Sequence, residues 1–217
     1  VYNSNLDLTP FSITKEKGNY FLDKNKICSN DYSMSLNIDN ISLKGSHNIS
    51  NIILATEIAN KVGIKKDNIC KAISEFEGLE HRFACFYSKN GIDFINDSKS
   101  TNIDSAIKAI ESISKKIILI LGGIAKEDDF SKILFFKKKI LKIIVYGESR
   151  DKIHDSLSTE IKIEKIEKFQ DAVHIAAKSA IESSVVLLSP ACSSFDQFDN
   201  YEQRGIKFKK IIERFYA

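Results

Sequence analysis

Cysteine is scarce: Cys28, Cys70, Cys85 and Cys192 stand far apart among 217 residues, without the paired spacing of a zinc site or a redox motif. Such sparse thiols suit a reducing compartment and are expected as reduced core groups. Long apolar runs are missing as well. The longest, Ile117 to Leu121, has the length of a buried strand and falls far short of the roughly 18 residues that a spanning helix needs. There is no dense basic block either: 32 basic and 29 acidic residues are spread along the chain and leave a formal charge of +3. That pattern argues against nucleic-acid or membrane binding and hints only at anionic ligands. The opening has neither the basic start nor the apolar stretch of a secretory signal, and its first residue is Val1 rather than Met, so an upstream portion is expected. No internal repeat is visible. A cytoplasmic location and a monomer are the expectations.

What is present is a composition of 43% hydrophobic and 28% charged residues, enough for one large or two small globular domains. Up to about Asp39, short apolar clusters such as Tyr20-Phe21-Leu22 are broken by Gly18-Asn19 and Asp23-Lys24-Asn25, which reads as strands and turns without a core of their own. From Ser50 to Val62 apolar residues recur at helical spacing. A second helix carries Ile69, Ala72, Ile73 and Phe76, with Asp67 placed to cap it, and ends at Gly78. Beyond Gly78 the pattern changes. Apolar runs flank Lys89-Asn90-Gly91, a strong hairpin signal. Strand-like runs at 117–121, 143–146, 161–163 and 185–188 then alternate with helical patterns such as Phe169, Ala172, Val173, Ala176, Ala177. This alternation predicts an α/β fold with a mostly parallel sheet and crossover helices, Rossmann-like, over residues 78–217. Asp199 with Glu202 suggests a capping box for a closing helix whose buried stripe is Phe208, Ile211, Ile212 and Phe215.

In such sheets, ligands sit beyond the carboxyl ends of the strands. Three segments leave those ends: Asn96-Asp97-Ser98-Lys99-Ser100-Thr101-Asn102, Gly122-Gly123-Ile124-Ala125-Lys126, and Ser189-Pro190-Ala191-Cys192-Ser193-Ser194. Asp97, Lys99 and Thr101 suit either a ribose and phosphate site or an ordinary helix cap. Gly122-Gly123 beside Lys126 is either an anion cradle or a tight turn. The small residues from Ser189 to Ser194 suit a carboxylate loop. A Ser or Cys nucleophile there would need a histidine base, and His47, His81, His154 and His174 lack any local triad context. Asn48 and Asn51, three apart, can share one helix face and bond an adenine edge, or act in capping. Arg82 stands at the junction, to stack on a purine or to form a structural ion pair.

Order and spacing add a further signal. Gly45-Ser46-His47-Asn48-Ile49-Ser50-Asn51, Gly78-Leu79-Glu80-His81-Arg82-Phe83, the Asn96 to Asn102 segment, Leu188 to Phe198 and Tyr201-Glu202-Gln203-Arg204-Gly205 together resemble the Mur ligase family, from about Leu43 onward. Within that family, Asn-Asp-Ser-Lys-x-Thr-Asn resembles the branch that adds D-glutamate. Phe195 and Tyr201 stand where the family often has leucine and phenylalanine. The resemblance implies that residues 1–77 are the rear of a central ATP-binding α/β domain and that residues 78–217 are a D-glutamate-binding domain. It implies an ATP-dependent ligase that phosphorylates the carboxylate of UDP-N-acetylmuramoyl-L-alanine and joins D-glutamate to it. It assigns Asn48, Asn51, Arg82 and Asp97 to the adenosine part of ATP, and Lys99 to phosphate or the reacting groups. Thr101, Lys126, Ser194, Phe195 and Tyr201 would hold D-glutamate.

A Gly-Lys-Ser or Gly-Lys-Thr phosphate loop is absent, since Lys44-Gly45-Ser46 has the order wrong. The resemblance places that loop and the Mg2+ ligands upstream, so no metal ligand is expected here. The alternatives are another amide-forming member of the superfamily, with a different amino acid or a folate acceptor, and a non-catalytic Rossmann-like binding module.

Overall fold

The computed structural model describes residues 19–30, 34–43, 46–126 and 129–217. Gly18 of the first expected turn and Gly45 of the Gly-x-His-Asn stretch lie outside the described residues, as do the side chains of Ser46 and His47. Two compact units are present, Val1–Gly78 and Leu79–Ala217.

In the first unit, β1 (Tyr20–Asp23), β2 (Lys26–Ser29) and β3 (Ser35–Asn37) form an antiparallel sheet in that order. α1 (Ser46–Lys61) and α2 (Lys66–Glu75) follow. The strands are too short for a core of their own, and the helices supply the rest. Tyr20, Ile27, Met34 and Leu36 pack with Ile49, Ile52 and Ile53 of α1 and Ile69 of α2. Asp67 does not cap α2. The cap position is Lys65, which makes no side-chain cap bond, and Asp67 sits in the first turn, where its charge complements the helix dipole.

In the second unit, β4 (Ala84–Lys89) and β5 (Ile92–Asn96) form the expected hairpin, with Asn90 and Gly91 at φ 54° and 75° as a two-residue turn with positive φ at both positions demands. The chain continues through α3 (Ile103–Glu111), β6 (Lys116–Gly122), a 3-10 turn (Ser131–Phe136), β7 (Ile140–Tyr146), α4 (Arg150–Leu157), β8 (Ile163–Ile166), α5 (Phe169–Ser179), β9 (Ser184–Leu188) and α6 (Tyr201–Tyr216). The sheet order is β4-β5-β9-β6-β7-β8, parallel except for β4.

Both faces of this sheet are covered, which explains the apolar runs of its central strands. Ile117, Leu119 and Leu121 of β6 meet Ile103, Ala106 and Ile110 of α3 and Ile153 of α4. Ile118 and Ile120 point the other way, to Ala172, Val173 and Ala176 of α5 and Phe208 and Ile212 of α6. Each such large side chain contributes roughly 1.5–3 kcal/mol through burial. The expected cap of α6 is displaced by one residue. Asn200 is the cap, its side-chain oxygen accepting from Gln203 N at 2.8 Å, while Asp199 accepts from the Gln203 side chain. The strand expected at 161–163 lies at 163–166, because Ile161 is a buried core residue that precedes the ladder.

The end of β6 is a backbone crossing. A Cβ on Gly122 (φ +136°) would stand 2.1 Å from Tyr146 O, and one on Gly123 (φ +125°) 2.0 Å from Ser193 O. Gly122→Ala should therefore lower the stability of this unit by about 3 kcal/mol or more, because backbone must move as well as strain. Gly91→Ala, where the nearest atom is the Glu182 Cγ at 3.2 Å, should cost only about 1 kcal/mol. Urea denaturation of the two variants measures the difference, and equal losses would contradict the crossing.

Candidate functional site at the carboxyl ends of the sheet

Three loops meet where β5, β6 and β9 end, and side-chain hydrogen bonds hold the first of them in shape. Asn96, the last residue of β5, accepts from Ser98 N at 3.2 Å. Its amide nitrogen donates to Gly205 O and to His81 Nδ1, both at 3.0 Å. With Nδ1 acting as acceptor, the His81 proton sits on Nε2, and burial lowers the pKa of the ring and keeps it neutral. Lys99 N donates to His81 O at 2.9 Å, which fixes the backbone from which Lys99 projects.

Asp97 comes next and is nearly buried, at 9% exposure. Its carboxylate accepts from Phe83 N at 3.1 Å and from the Ser189 hydroxyl at 2.7 Å. Burial pushes the Asp97 carboxyl up from 3.8 to about 6, and Ser189, the Phe83 N–H and the nearby Arg82 charge offset only part of that shift. Helix capping, one open reading of this segment, falls to Asn102, whose side chain accepts from Ser105 N at 2.8 Å. Asp97, Lys99 and Thr101 are thus left for other roles.

Arg204 of α6 is fully buried. It donates through Nε to Ser98 Oγ at 2.9 Å, through Nη2 to Ser98 O at 2.8 Å, and through Nη1 to Cys192 O at 3.1 Å and the Tyr146 hydroxyl at 3.3 Å. Ser98 Oγ in turn donates to Tyr201 O at 2.8 Å. One guanidinium therefore ties together the loop after β5, the end of β7, the loop after β9 and the start of α6. No carboxylate pairs with it among the described residues. Arg204 has no role among the expectations drawn from the sequence. Its signal was positional, four residues before the buried Phe208 on the inner stripe of α6.

The loop after β6 is a tight turn, not a backbone anion cradle. Gly122 N, Gly123 N, Ile124 N and Ala125 N donate to Pro190 O, Tyr146 O, Ser193 O and the Ser149 hydroxyl. Ile124 and Ser193 form a two-way backbone bridge, which brings the Lys126 loop against the Ser194 loop. Cys192 is buried, its carbonyl accepting from Arg204, while His81 is held by Asn96, His154 contacts Asp155 and His174 lies near Phe215.

The expected site residues are therefore distributed as follows. Lys99 Nζ stands over the Tyr201 ring at 4.1 Å from its centroid, and Arg82 is close enough to act on the titration of both Asp97 and Tyr201. Thr101 is half-buried beside them, Ser194 is buried, and Phe195 is 69% exposed. Lys126 is exposed and has no ion pair among the described residues. Asn48 and Asn51 belong to the first unit, half-buried and exposed on α1. Asn51 edges an apolar cleft of about 340 Å³ lined by Leu43, Ile52, Ala55, Ala72, Ile73 and Phe76. Among the described residues no three His, Cys, Asp or Glu side chains form a metal site, and no helix is long and apolar enough to cross a membrane.

The fold is shared with solved ligase structures. UDP-N-acetylmuramate-alanine ligase MurC from Thermotoga maritima superimposes with a TM-score of 0.70 at 20% identity, over 93% of this chain and 46% of that one. MurF from Acinetobacter baumannii gives 0.68 at 15% identity, over 91% and 46%. Residues 81–192 match the family described as Mur ligase, glutamate ligase domain, and the chain belongs to that family. Curated relatives named UDP-N-acetylmuramoylalanine–D-glutamate ligase are 38% identical over 210 residues in Bacteroides fragilis, covering 94% of this chain and 47% of the relative. In Lachnospira eligens the identity is 40% over 187 residues, covering 85% and 41%. The chain thus spans less than half the length of these relatives.

Asp97 provides a direct check on the site's electrostatics. Its pKa is higher folded (about 6) than its ordinary 3.8, so its contribution to stability is fully present below about 3.8 and is lost as the pH rises through about 6. Asp97→Asn keeps the shape without the charge. The variant should gain about 1–3 kcal/mol over the parent at neutral pH, and the gain should shrink as the pH falls from 6 towards 4. Denaturation midpoints across that range measure it, and a pH-independent difference would contradict the buried, raised carboxyl.

Proposed function

We propose that the full-length protein is an ATP-dependent ligase that adds D-glutamate to UDP-N-acetylmuramoyl-L-alanine in peptidoglycan precursor synthesis. On this reading residues 1–77 supply the rear of the ATP-binding domain and residues 78–217 the D-glutamate domain. The observation that carries it is the 96–102 segment, whose backbone N–H groups from Asp97 to Ser100 are each hydrogen-bonded while the side chains of Lys99 and Thr101 are not part of that network. Relatives that share this stretch of chain are named as D-glutamate ligases.

D-glutamate presents two carboxylates and an amine that must stay free to attack. Because the backbone donors of residues 122–125 are occupied, side chains have to do the recognition. Lys126 holds one carboxylate by a charge-assisted bond, and Thr101 and Ser194 donate hydroxyls, with Phe195 and Tyr201 closing the side. Lys99, now resting on the Tyr201 ring, is available to developing negative charge on the reacting groups. ATP, when bound with Mg2+, supplies the phosphoryl group that activates the acceptor carboxylate. Asn48, and Asn51 at the edge of an apolar cleft, suit the adenine, and Arg82 and Asp97 the ribose. Asp97 already accepts two hydrogen bonds, so a ribose hydroxyl would have to use a remaining lone pair. On this reading the Mg2+ ligands belong to the part of the full-length protein that this chain does not span. The protein acts as a cytoplasmic monomer on this reading.

Full-length protein given UDP-N-acetylmuramoyl-L-alanine, D-glutamate, ATP and Mg2+ should release ADP, and omission of D-glutamate should abolish amide formation. Lys126→Ala should raise the KM for D-glutamate about tenfold or more, as loss of a bond worth about 1.5–3 kcal/mol requires. The KM for ATP should stay close to that of the parent. An unchanged D-glutamate KM would remove Lys126 from the site.

A further inference from the structure

Helices α5 and α6 lie side by side on one face of the sheet, and a cleft of about 320 Å³ runs between them. Gln170 and His174 of α5 line it, with Lys207, Lys210, Ile211 and Arg214 of α6. No carboxylate lines it. Lys209, on the same helix, donates to Glu80 at 2.9 Å, whereas Lys207, Lys210 and Arg214 have no ion pair among the described residues. Ordinary solvated lysines on this chain often find a partner, as Lys115, Lys132, Lys137, Lys142 and Lys165 do. Three cations left together in a concave site keep a mutual repulsion that a bound anion would relieve.

Chemistry narrows the ligand. Positions 207, 210 and 214 fall on one stripe of a helix and spread over about 10 Å of its axis. An anion that neutralises all three must therefore carry charge at more than one point. The cleft is small, which favours a compact anion over an extended polymer. The Arg214 fork matches phosphate oxygens in pairs, lysines serve as point charges for phosphate, and the Gln170 amide adds donors. His174 is backed by Phe215, with ring centroids 6.2 Å apart, and Ile211 gives the cleft an apolar wall. None of these residues belongs to the D-glutamate site proposed above.

We propose that the α5–α6 cleft is a binding site for a compact oligophosphate, held by Lys207, Lys210 and Arg214. The proposal does not rest on the ligase reading. The same chemistry can arrive as free inorganic oligophosphate or as the phosphate tail of a nucleotide.

Isothermal titration of this chain with inorganic tripolyphosphate at low ionic strength tests it. The expected result is binding at one ligand per chain, tighter than that of orthophosphate and weakened by added salt. The triple variant Lys207→Gln, Lys210→Gln, Arg214→Gln should bind at least about tenfold more weakly, since three charge-assisted contacts are removed. A control triple, Lys108→Gln, Lys138→Gln, Lys162→Gln, removes three exposed cations elsewhere and should bind like the parent. ADP titrated into the parent and the cleft variant separates the two sources: a component lost with the variant assigns a nucleotide tail, and its absence assigns free oligophosphate. No binding of tripolyphosphate, or equal weakening in the cleft and control variants, overturns the site. Circular dichroism confirms that each variant is folded, and a single Arg214→Lys substitution, which keeps the charge and removes the fork, should weaken binding by less than the triple.

Discussion

A guanidinium without a carboxylate is buried at the centre of the second unit. Arg204 loses its water on folding, a cost of several kcal/mol, and recovers it through four hydrogen bonds to carbonyl and hydroxyl oxygens. Those oxygens come from parts of the chain far apart in sequence: Ser98, Tyr146 and Cys192. A charge in that position cannot tolerate the drift of any partner. The loops after β5 and β9 and the start of α6 must therefore be ordered together, against the end of β7.

The consequence for chemistry is a division of labour. Polar groups at the strand ends hold one another: Asn96 is held by His81, Gly205 and Ser98, Asp97 by Phe83 and Ser189, and the 122–125 amides by their neighbours. The long side chains at the rim, Lys99, Arg82 and Lys126, are outside that network. A hydrogen-bonded floor with long cationic side chains at its edge suits the small dianion proposed above, because a floor ordered beforehand loses little entropy on binding.

Much of this was legible in the sequence where burial and pattern coincide. Strands β6, β7 and β9 are legible because both faces are covered and their central residues are apolar. The strand expected at 161–163 lies two residues further on as β8, because Glu164 and Lys165 interrupt the apolar pattern at the sheet edge and the buried Ile161 extends it upstream. The cap of α6 was placed on Asp199 because aspartate and asparagine are near-equal caps; only backbone geometry selects Asn200. The loops that carry the site were found from their place after strands and from their resemblance to the Mur ligases. The role of Arg204 was not found, because a charged residue is read as surface unless its partners are known, and those partners lie 12 to 106 positions away.

The central claim is that Arg204 orders the site loops as one body, and hydrogen–deuterium exchange of Arg204→Met against the parent tests it most directly. Methionine keeps much of the volume and an apolar stem, so the helix should still dock. Exchange should rise together in residues 97–101, 189–194 and the first turn of α6, while β6 and β7 keep their protection, and Arg204→Lys should give a smaller rise in the same three segments. Unchanged protection in those segments, or a rise confined to α6 alone, would contradict the account.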